Sequence, residues 1–215
     1  IFFRFYLCIG VCSFAMSKPA PKLSTARLDP HKFSSPFAST AKAKTSFTEA
    51  YGRGDLPCRI EHHTSRMSLA WSHPVERLDY NGLLPLCFDG LRETKHPYAY
   101  IARQAVTDML SAEGAEAKTV PVLDQLIPGL RMAMTDKDEN VCKAALSTLG
   151  QLSAVVKAEL DQHLHHFLTT LNRRLSEKKF REPVEELLQQ LEQNGGKDVS
   201  KMIKQKIPTY TPLYR

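Results

Sequence analysis

Apolar residues follow a helical period through most of the chain after residue 78. They recur at i, i+3, i+4 and i+7, the spacing that places side chains on one face of an α-helix. Seven such stripes run over residues 83–91, 98–110, 123–134, 141–152, 160–175, 180–191 and, more briefly, 199–203. The pattern therefore predicts at least six helices between residues 78 and 206, in antiparallel pairs.

A period of two precedes the helices. Apolar and polar residues alternate on both sides of a polar turn at residues 64–66, with Cys58, Ile60 and His62 before it and Met67, Leu69 and Trp71 after it. Such alternation predicts a β-hairpin over residues 58–71. Trp71, the one tryptophan of the chain, is expected to anchor that hairpin on the body of the domain. A short helical turn is predicted before it, at residues 47–51.

The helical segments repeat at a shift of 40 residues. IARQAVTDM at 101–109 matches VCKAALSTL at 141–149, with apolar and basic positions in register. A period near 40 built of helix pairs is typical of HEAT and armadillo repeats, in which stacked pairs bury a shared apolar core. The predicted fold is all-α, an armadillo/HEAT-like helical repeat domain with a short N-terminal β-hairpin.

The first 46 residues differ from the rest. Residues 1–15 are apolar and begin without Met, whereas Met16 opens a segment that resembles a natural start. We interpret residues 1–15 as an over-extended reading frame, with a remnant of a signal peptide as the alternative. Residues 16–46 contain four prolines and few apolar residues, so they are predicted to form a disordered basic arm. The folded domain is predicted over residues 47–210.

The positive charge is unevenly spread. The formal net charge is +6, yet residues 17–50 carry six basic residues against two acidic ones, and residues 195–215 carry five against one. The residues between these segments are slightly acidic. Such asymmetry indicates an acidic partner, which could be nucleic acid, an anionic membrane or a polyanionic protein surface; a merely solvated tail is the alternative.

Familiar catalytic and metal-binding motifs are missing from the sequence. Five scattered cysteines exclude a disulfide scaffold and a zinc ribbon, and no apolar run reaches the roughly 20 residues that span a bilayer. The Gly52-x-Gly54 motif precedes a hairpin, whereas a phosphate-binding loop precedes a long helix. We predict no catalytic residue, no cofactor and no small-molecule substrate.

The histidines of HLHH at residues 163–166 are the one metal-like run on a predicted helix. Zinc sites need about four ligands in a closed pattern, which this run lacks. Because Leu164 and Phe167 take the apolar face, His163 and His166 are expected to face solvent. No metal site is predicted, and Cys142 is expected to be a small buried apolar residue.

Several segments together resemble the parkin co-regulated gene protein family, and within it the shorter "like" branch. They are GRGDLPCRIEHH (52–63), GLRETKHPYAYIARQ (90–104), the leucine-rich stretch 122–152, LNRRLSEKKFREPV (171–184), LEQNGGK (191–197) and KIPTY (206–210). The resemblance implies an armadillo-like domain without a catalytic role, associated with ciliary and other microtubules. For the better studied branch, the resemblance implies a structural component at the inner junction of doublet microtubules, where the protein binds α- and β-tubulin. It also implies an association with chaperones.

The resemblance and the charge together suggest a tubulin contact through basic residues. The cytoplasm and its cytoskeleton, with the ciliary or flagellar axoneme or another stable microtubule array, are the expected location. The residues between helices five and six are expected off the apolar stripes. The candidate contacts are Lys18, Lys22, Arg27, Lys32, Lys42 and Lys44 in the arm, Arg173, Arg174, Lys178, Lys179 and Arg181 between helices five and six, and Lys201, Lys204 and Lys206 near the end.

Three functions were weighed against one another. The first is a non-enzymatic microtubule-associated scaffold, and the second is a soluble adaptor or chaperone-associated interaction protein. The third, a nucleic-acid binder, is disfavoured because residues 51–215 are nearly neutral and lack interleaved aromatic and basic residues. We therefore expect tubulin or a microtubule-bound protein as the partner, and neither nucleic acid nor a membrane.

Deleting residues 1–46 should leave the melting temperature of the domain almost unchanged, because that segment has little apolar surface to bury. Differential scanning calorimetry of the full chain and the truncated chain measures this. Loss of the cooperative transition in the truncated chain would mean that the arm is part of the fold.

Overall fold

Helices make up most of the computed structural model, which describes residues 45–62 and 67–213. They are α1 (Ser46–Arg53), α2 (Leu83–Gly90), α3 (Tyr98–Ser111), α4 (Ala115–Thr119), α5 (Leu123–Met134), α6 (Glu139–Val156), α7 (His165–Leu175) and α8 (Arg181–Lys206). Short 3₁₀ helices occupy Val75–Arg77, Val120–Val122 and Lys157–His163. The predicted helical content after residue 78 is confirmed. The predictions for residues 1–44 fall outside the described residues.

The predicted hairpin is present. Strands β1 (Cys58–His62) and β2 (Met67–Trp71) pair antiparallel, with Ile60 opposite Leu69. This two-stranded sheet is the only sheet among the described residues. An isolated two-stranded hairpin is marginally stable in water, so it needs support from the helices.

Two side-chain hydrogen bonds fasten the hairpin to α3. The indole Nε1 of Trp71 donates to Asp108 Oδ2 at 2.9 Å. The Tyr100 hydroxyl donates to the Met67 carbonyl at 2.7 Å. Trp71 also packs, partly buried, against the apolar core. The predicted role of Trp71 as an anchor is confirmed, and its partner on the helix is a carboxylate.

Helix α1 begins at Ser46, one residue before the predicted domain start, and is capped by Thr45. The Thr45 side chain accepts from the Thr48 amide at 3.3 Å. The Thr45 hydroxyl donates to Glu93 Oε1 at 2.7 Å, and the Thr48 hydroxyl donates to the same oxygen. Burial raises the pKa of Glu93, but these hydrogen bonds outweigh it and hold that pKa below its ordinary value. Because Thr45 and Ser46 have structural partners, the arm deletion is cleanest when it ends at residue 44.

The apolar stripes meet in one core. Helix α5 contacts α2, α6 and α7, while α6 also contacts α3 and α8. Leu130 on α5 is 0% exposed. The whole apolar stripe of this helix is buried, namely Leu123, Leu126, Ile127, Leu130 and Met134. Cys142 is buried as well, as expected. The helices from α2 to α8 are therefore joined through shared side chains, with α5 and α6 at the centre.

The predicted fifth helix is divided in two. Lys157 ends α6 with a positive φ of 48°, and a 3₁₀ helix covers Lys157–His163 before α7 begins. Leu160, inside the 3₁₀ helix, and Leu164, which follows it, are nevertheless buried. The apolar period identified the buried face correctly but not the type of helix.

The predicted sixth stripe (180–191) and seventh stripe (199–203) both lie in α8, which is interrupted between them at Gly196. Gly196 has φ 77° and ψ −155°, which no helix adopts. A side chain on Gly195 would collide with Val199 and Asp161. The short helix α4 was not predicted, because its five residues are too few to show an apolar stripe. None of the helices in the described ranges has both the length and the apolar character needed to cross a bilayer.

The burial of Leu130 predicts the effect of truncating it. Leu130→Ala should lower the free energy of unfolding by about 2–5 kcal/mol, because the substitution leaves a cavity between α5 and its neighbours. Urea denaturation followed by circular dichroism measures the change. Met132→Ala, on the exposed side of the same helix, is the control and should change stability by about 0.5 kcal/mol or less. Equal values for the two variants would contradict the packing described here.

Candidate partner-binding surface

Four of the five predicted basic residues between α7 and α8 form an exposed cluster. Arg173 lies in the last turn of α7, Lys178 and Lys179 lie in the connecting turn, and Arg181 opens α8. All four side chains are exposed. We call these four residues the α7–α8 cluster.

Arg174 is the exception, and its predicted place off the buried surface is wrong. It is 8% exposed. Its Nε and Nη2 donate to the Met134 carbonyl at 3.2 and 3.1 Å, and Nη2 also donates to the Asp136 carbonyl at 2.7 Å. Its Nη1 pairs with Glu177 at 2.9 Å, and the guanidinium lies 4.9 Å from the Phe180 ring centroid. Arg174 thus ties the α7–α8 turn to the end of α5.

The exposed cluster has acidic neighbours but keeps free cations. Lys179 Nζ lies 3.5 Å from Glu139, and Arg181 Nε lies 4.0 Å from Glu185. Exposed pairs of this kind contribute little and open easily. The side chains of Arg173 and Lys178 have no hydrogen-bond or ion-pair partner in the described part of the chain. The cluster can therefore turn positive charge toward an acidic partner.

The second basic group lies on the last turns of α8. Lys201 pairs with Asp198 at 2.9 Å, with both side chains mostly exposed. Lys204 donates to the Tyr210 carbonyl at 2.7 Å and so holds the chain that follows the helix. Lys206 is exposed. Of these three, Lys204 has a structural role that sequence reasoning did not foresee. The six candidate residues of the arm fall outside the described residues.

A buried carboxylate holds the segment after α8. Glu192 is 0% exposed and accepts hydrogen bonds from the Tyr210 hydroxyl at 2.5 Å and from the Leu213 amide at 3.0 Å. Burial raises the pKa of Tyr210, and the hydrogen bond to Glu192 raises it further. Sequence reasoning missed Glu192, because a glutamate in a polar stretch of helix gives no sign of burial.

The histidine run is arranged differently from the prediction. The His163 side chain is only 15% exposed and its Nε2 lies 3.4 Å from Asp124, so its expected exposure is wrong. His165 is the exposed member, with Nδ1 2.9 Å from the Gln162 carbonyl. In residues 45–62 and 67–213 no group of three or more His, Cys, Asp or Glu side chains is placed to hold a metal ion.

The three described cysteines are buried thiols. Burial raises the pKa of Cys58 to about 11, and burial likewise raises the pKa of Cys87. Such thiols stay protonated at neutral pH, whereas a nucleophile needs the thiolate. These side chains fill the core.

A groove between α6 and α8 was not anticipated from the sequence. Its volume is about 470 Å³. Its α6 wall carries Ser147 and Gln151, and its α8 wall carries Gln190 and Gln193. Gly150 forms part of its floor, and a side chain there would collide with Gln190. Amide side chains both donate and accept hydrogen bonds, so the groove could pair with a peptide backbone.

The buried position of Arg174 predicts an asymmetry with its neighbour. Arg174→Met should destabilise the fold by about 2–4 kcal/mol, because the Met134 and Asp136 carbonyls lose their charged donor. Arg173→Met, one residue away and exposed, should cost about 0.5 kcal/mol or less. Thermal denaturation of both variants tests this. Similar melting temperatures would show that Arg174 does not hold the turn.

Comparison with known proteins gives the family. The family model described as "Parkin co-regulated protein" matches residues 45–212. The curated mouse (Mus musculus) protein "Parkin coregulated gene protein homolog" is 32% identical over 184 residues, which cover 77% of this chain and 76% of that protein. These matches confirm the resemblance drawn from the sequence segments. The chain belongs to the parkin co-regulated protein family.

Proposed function

We propose that the protein is a non-enzymatic, microtubule-associated scaffold whose α7–α8 cluster contacts the acidic surface of tubulin. The observation that carries the proposal is the exposure of four cations around one turn that buried Arg174 holds in place. The family resemblance supplies the partner, because it implies association with ciliary and other microtubules. The proposed location is the cytoskeleton, in axonemal doublets or another stable microtubule array.

The held turn matters for the strength of such a contact. Each exposed cation contributes on the order of 1 kcal/mol or less, so several must act together. Binding also costs the ordering of flexible side chains and loops, and a turn that is already fixed reduces that cost. Electrostatic complementarity of this kind speeds association and orients the partner, and salt weakens it.

We also propose that the helices stack as armadillo/HEAT-like repeats. Three observations favour this: the shift of 40 residues between α3 and α6, their direct packing, and the packing of α6 on α8. Repeats of this type share a continuous core and present an extended surface. That architecture suits a scaffold that spans more than one subunit of a lattice.

A soluble adaptor is the second candidate, and the α6–α8 groove favours it. An extended peptide could lie along the two helices, with its backbone bonded by Gln151, Gln190 and Gln193. The partner would then be a polypeptide segment, for example on a chaperone. An adaptor of this kind stays in solution when polymerised microtubules are pelleted, which separates it from the scaffold.

Charge reversal of the α7–α8 cluster tests the scaffold proposal. The combined change of Arg173, Lys178, Lys179 and Arg181 to Glu should weaken co-sedimentation with microtubules by roughly tenfold or more, since reversal adds repulsion to the lost attraction. Arg174 is kept because it is structural. The wild-type chain should also bind less as salt rises.

The matched control reverses four exposed cations elsewhere, namely Arg53, Arg59, Arg131 and Lys157. It has the same net charge and should pellet like the wild type once both folds are verified by melting curves. The assay is repeated on chains without residues 1–44, which carry much of the basic charge. If the cluster variant pellets like the wild type at low salt in both backgrounds, the scaffold proposal is wrong and the adaptor takes its place.

A further inference from the structure

A pocket of about 300 Å³ opens beside the first turns of α3, and no residue of the α7–α8 cluster lines it. Seven residues line it, and none of them is acidic. The six polar or aromatic ones are Thr94, His96, Tyr100, Arg103, Gln104 and Thr107. Arg103 brings the one permanent charge of this lining, because a guanidinium stays protonated in proteins.

Within residues 45–62 and 67–213, the Arg103 guanidinium has no hydrogen-bond or ion-pair partner. Its Nε is buried and makes no hydrogen bond within the described residues, although the side chain as a whole is only half-buried. An unsatisfied buried donor destabilises the fold. Arg174 shows the ordinary solution in the same molecule, since its nitrogens meet two carbonyls and a carboxylate. The Nε of Arg103 is therefore a donor without an acceptor in the part of the chain that the structure describes.

Two polar side chains on the same helix, Asp108 and Thr107, already make hydrogen bonds. Asp108 lies on the same helix, but its Oδ2 accepts from Trp71 at 2.9 Å and its Oδ1 accepts from Gln104 at 2.7 Å. The Thr107 hydroxyl donates to the backbone carbonyl of Arg103 at 3.0 Å. The hairpin anchor and Gln104 thus engage both oxygens of the Asp108 carboxylate.

We propose that this pocket binds a carboxylate group, with Arg103 as its charged donor. A guanidinium presents parallel N–H groups that match the two oxygens of a carboxylate. The single charge of the lining matches a singly charged carboxylate better than a doubly charged phosphate. Thr94 and Gln104 border the site and supply neutral polar groups around it. An acidic side chain of a partner protein is the source that this chemistry fits.

Nuclear magnetic resonance of the full chain, labelled with ¹⁵N, tests the site directly. The probes are a terminally blocked hexaglutamate peptide, the matching hexaglutamine peptide, acetate and inorganic phosphate. The Arg103 Nε–H resonance, identified by its loss in Arg103→Met, should shift saturably with hexaglutamate and not with hexaglutamine. A shift with acetate but none with hexaglutamate would assign the site to small carboxylates and overturn the protein source.

Two variants separate this site from general attraction to a basic protein. Arg103→Met should weaken hexaglutamate binding roughly tenfold or more, the loss expected for a charge-assisted hydrogen bond. Arg131→Met removes the same charge from an exposed position on α5 and should leave binding unchanged. Equal binding by wild type and Arg103→Met would overturn the proposal, as would a stronger response to phosphate than to either carboxylate probe.

Stability gives a second, independent readout. Arg103→Met should keep or raise the melting temperature, because it replaces an unsatisfied donor with an apolar chain of similar length. A fall of several degrees would mean that the fold itself uses the guanidinium, and would overturn the proposal. These measurements contain no microtubules, so their outcome is separate from that of the sedimentation assay.

Discussion

The hydrogen bonds of Arg174 to the end of α5 are the contact on which the exposed surface between α7 and α8 depends. Helix α5 terminates with carbonyl groups that the helix itself cannot satisfy, as every helix does. Arg174 supplies donors to two carbonyls of this terminus and places its guanidinium beside Phe180. One buried cation therefore satisfies a helix end and fixes the turn that presents four other cations to solvent.

Two neighbouring arginines of α7 thus have opposite roles. Arg173 and Arg174 are adjacent and chemically identical, yet helical geometry turns them about 100° apart, so one faces solvent and the other the core. Arg103 presents a third situation, in which the guanidinium is partly enclosed and its neighbours are engaged elsewhere. The environment, rather than the residue type, decides whether an arginine of this protein supports the fold or remains available to a ligand.

The spacing of apolar residues and the positions of glycines predicted most of the fold, because burial of apolar faces largely determines which segments form helices and strands. The alternation around residues 64–66 located the hairpin, and the stripe through Leu130 located the central helix. Gly196 marked the interruption of α8, since its positive φ is costly for other residues. The type of helix was predicted wrongly at residues 160–163, which belong to a 3₁₀ helix although the spacing of Leu160 and Leu164 is that of an α-helix. The candidate site was predictable only in part, because a charged residue carries no sequence signal of burial. Arg174, Glu192 and His163 each contact a residue that is distant in sequence, respectively Met134, Tyr210 and Asp124.

The buried carboxylate of Glu192 has a consequence for the order in which the fold is completed during synthesis. Two of the residues that donate hydrogen bonds to it, Tyr210 and Leu213, lie 18 and 21 residues further along the chain. Until those residues leave the ribosome, the Glu192 carboxylate lacks these two hydrogen bonds, and burying a carboxylate with fewer hydrogen bonds is costly. The earlier helices can assemble around α5 and α6 before the C-terminal segment packs on α8. Translation therefore imposes a sequence of events on this domain, and the last step is the closing of its C-terminal segment over a single glutamate.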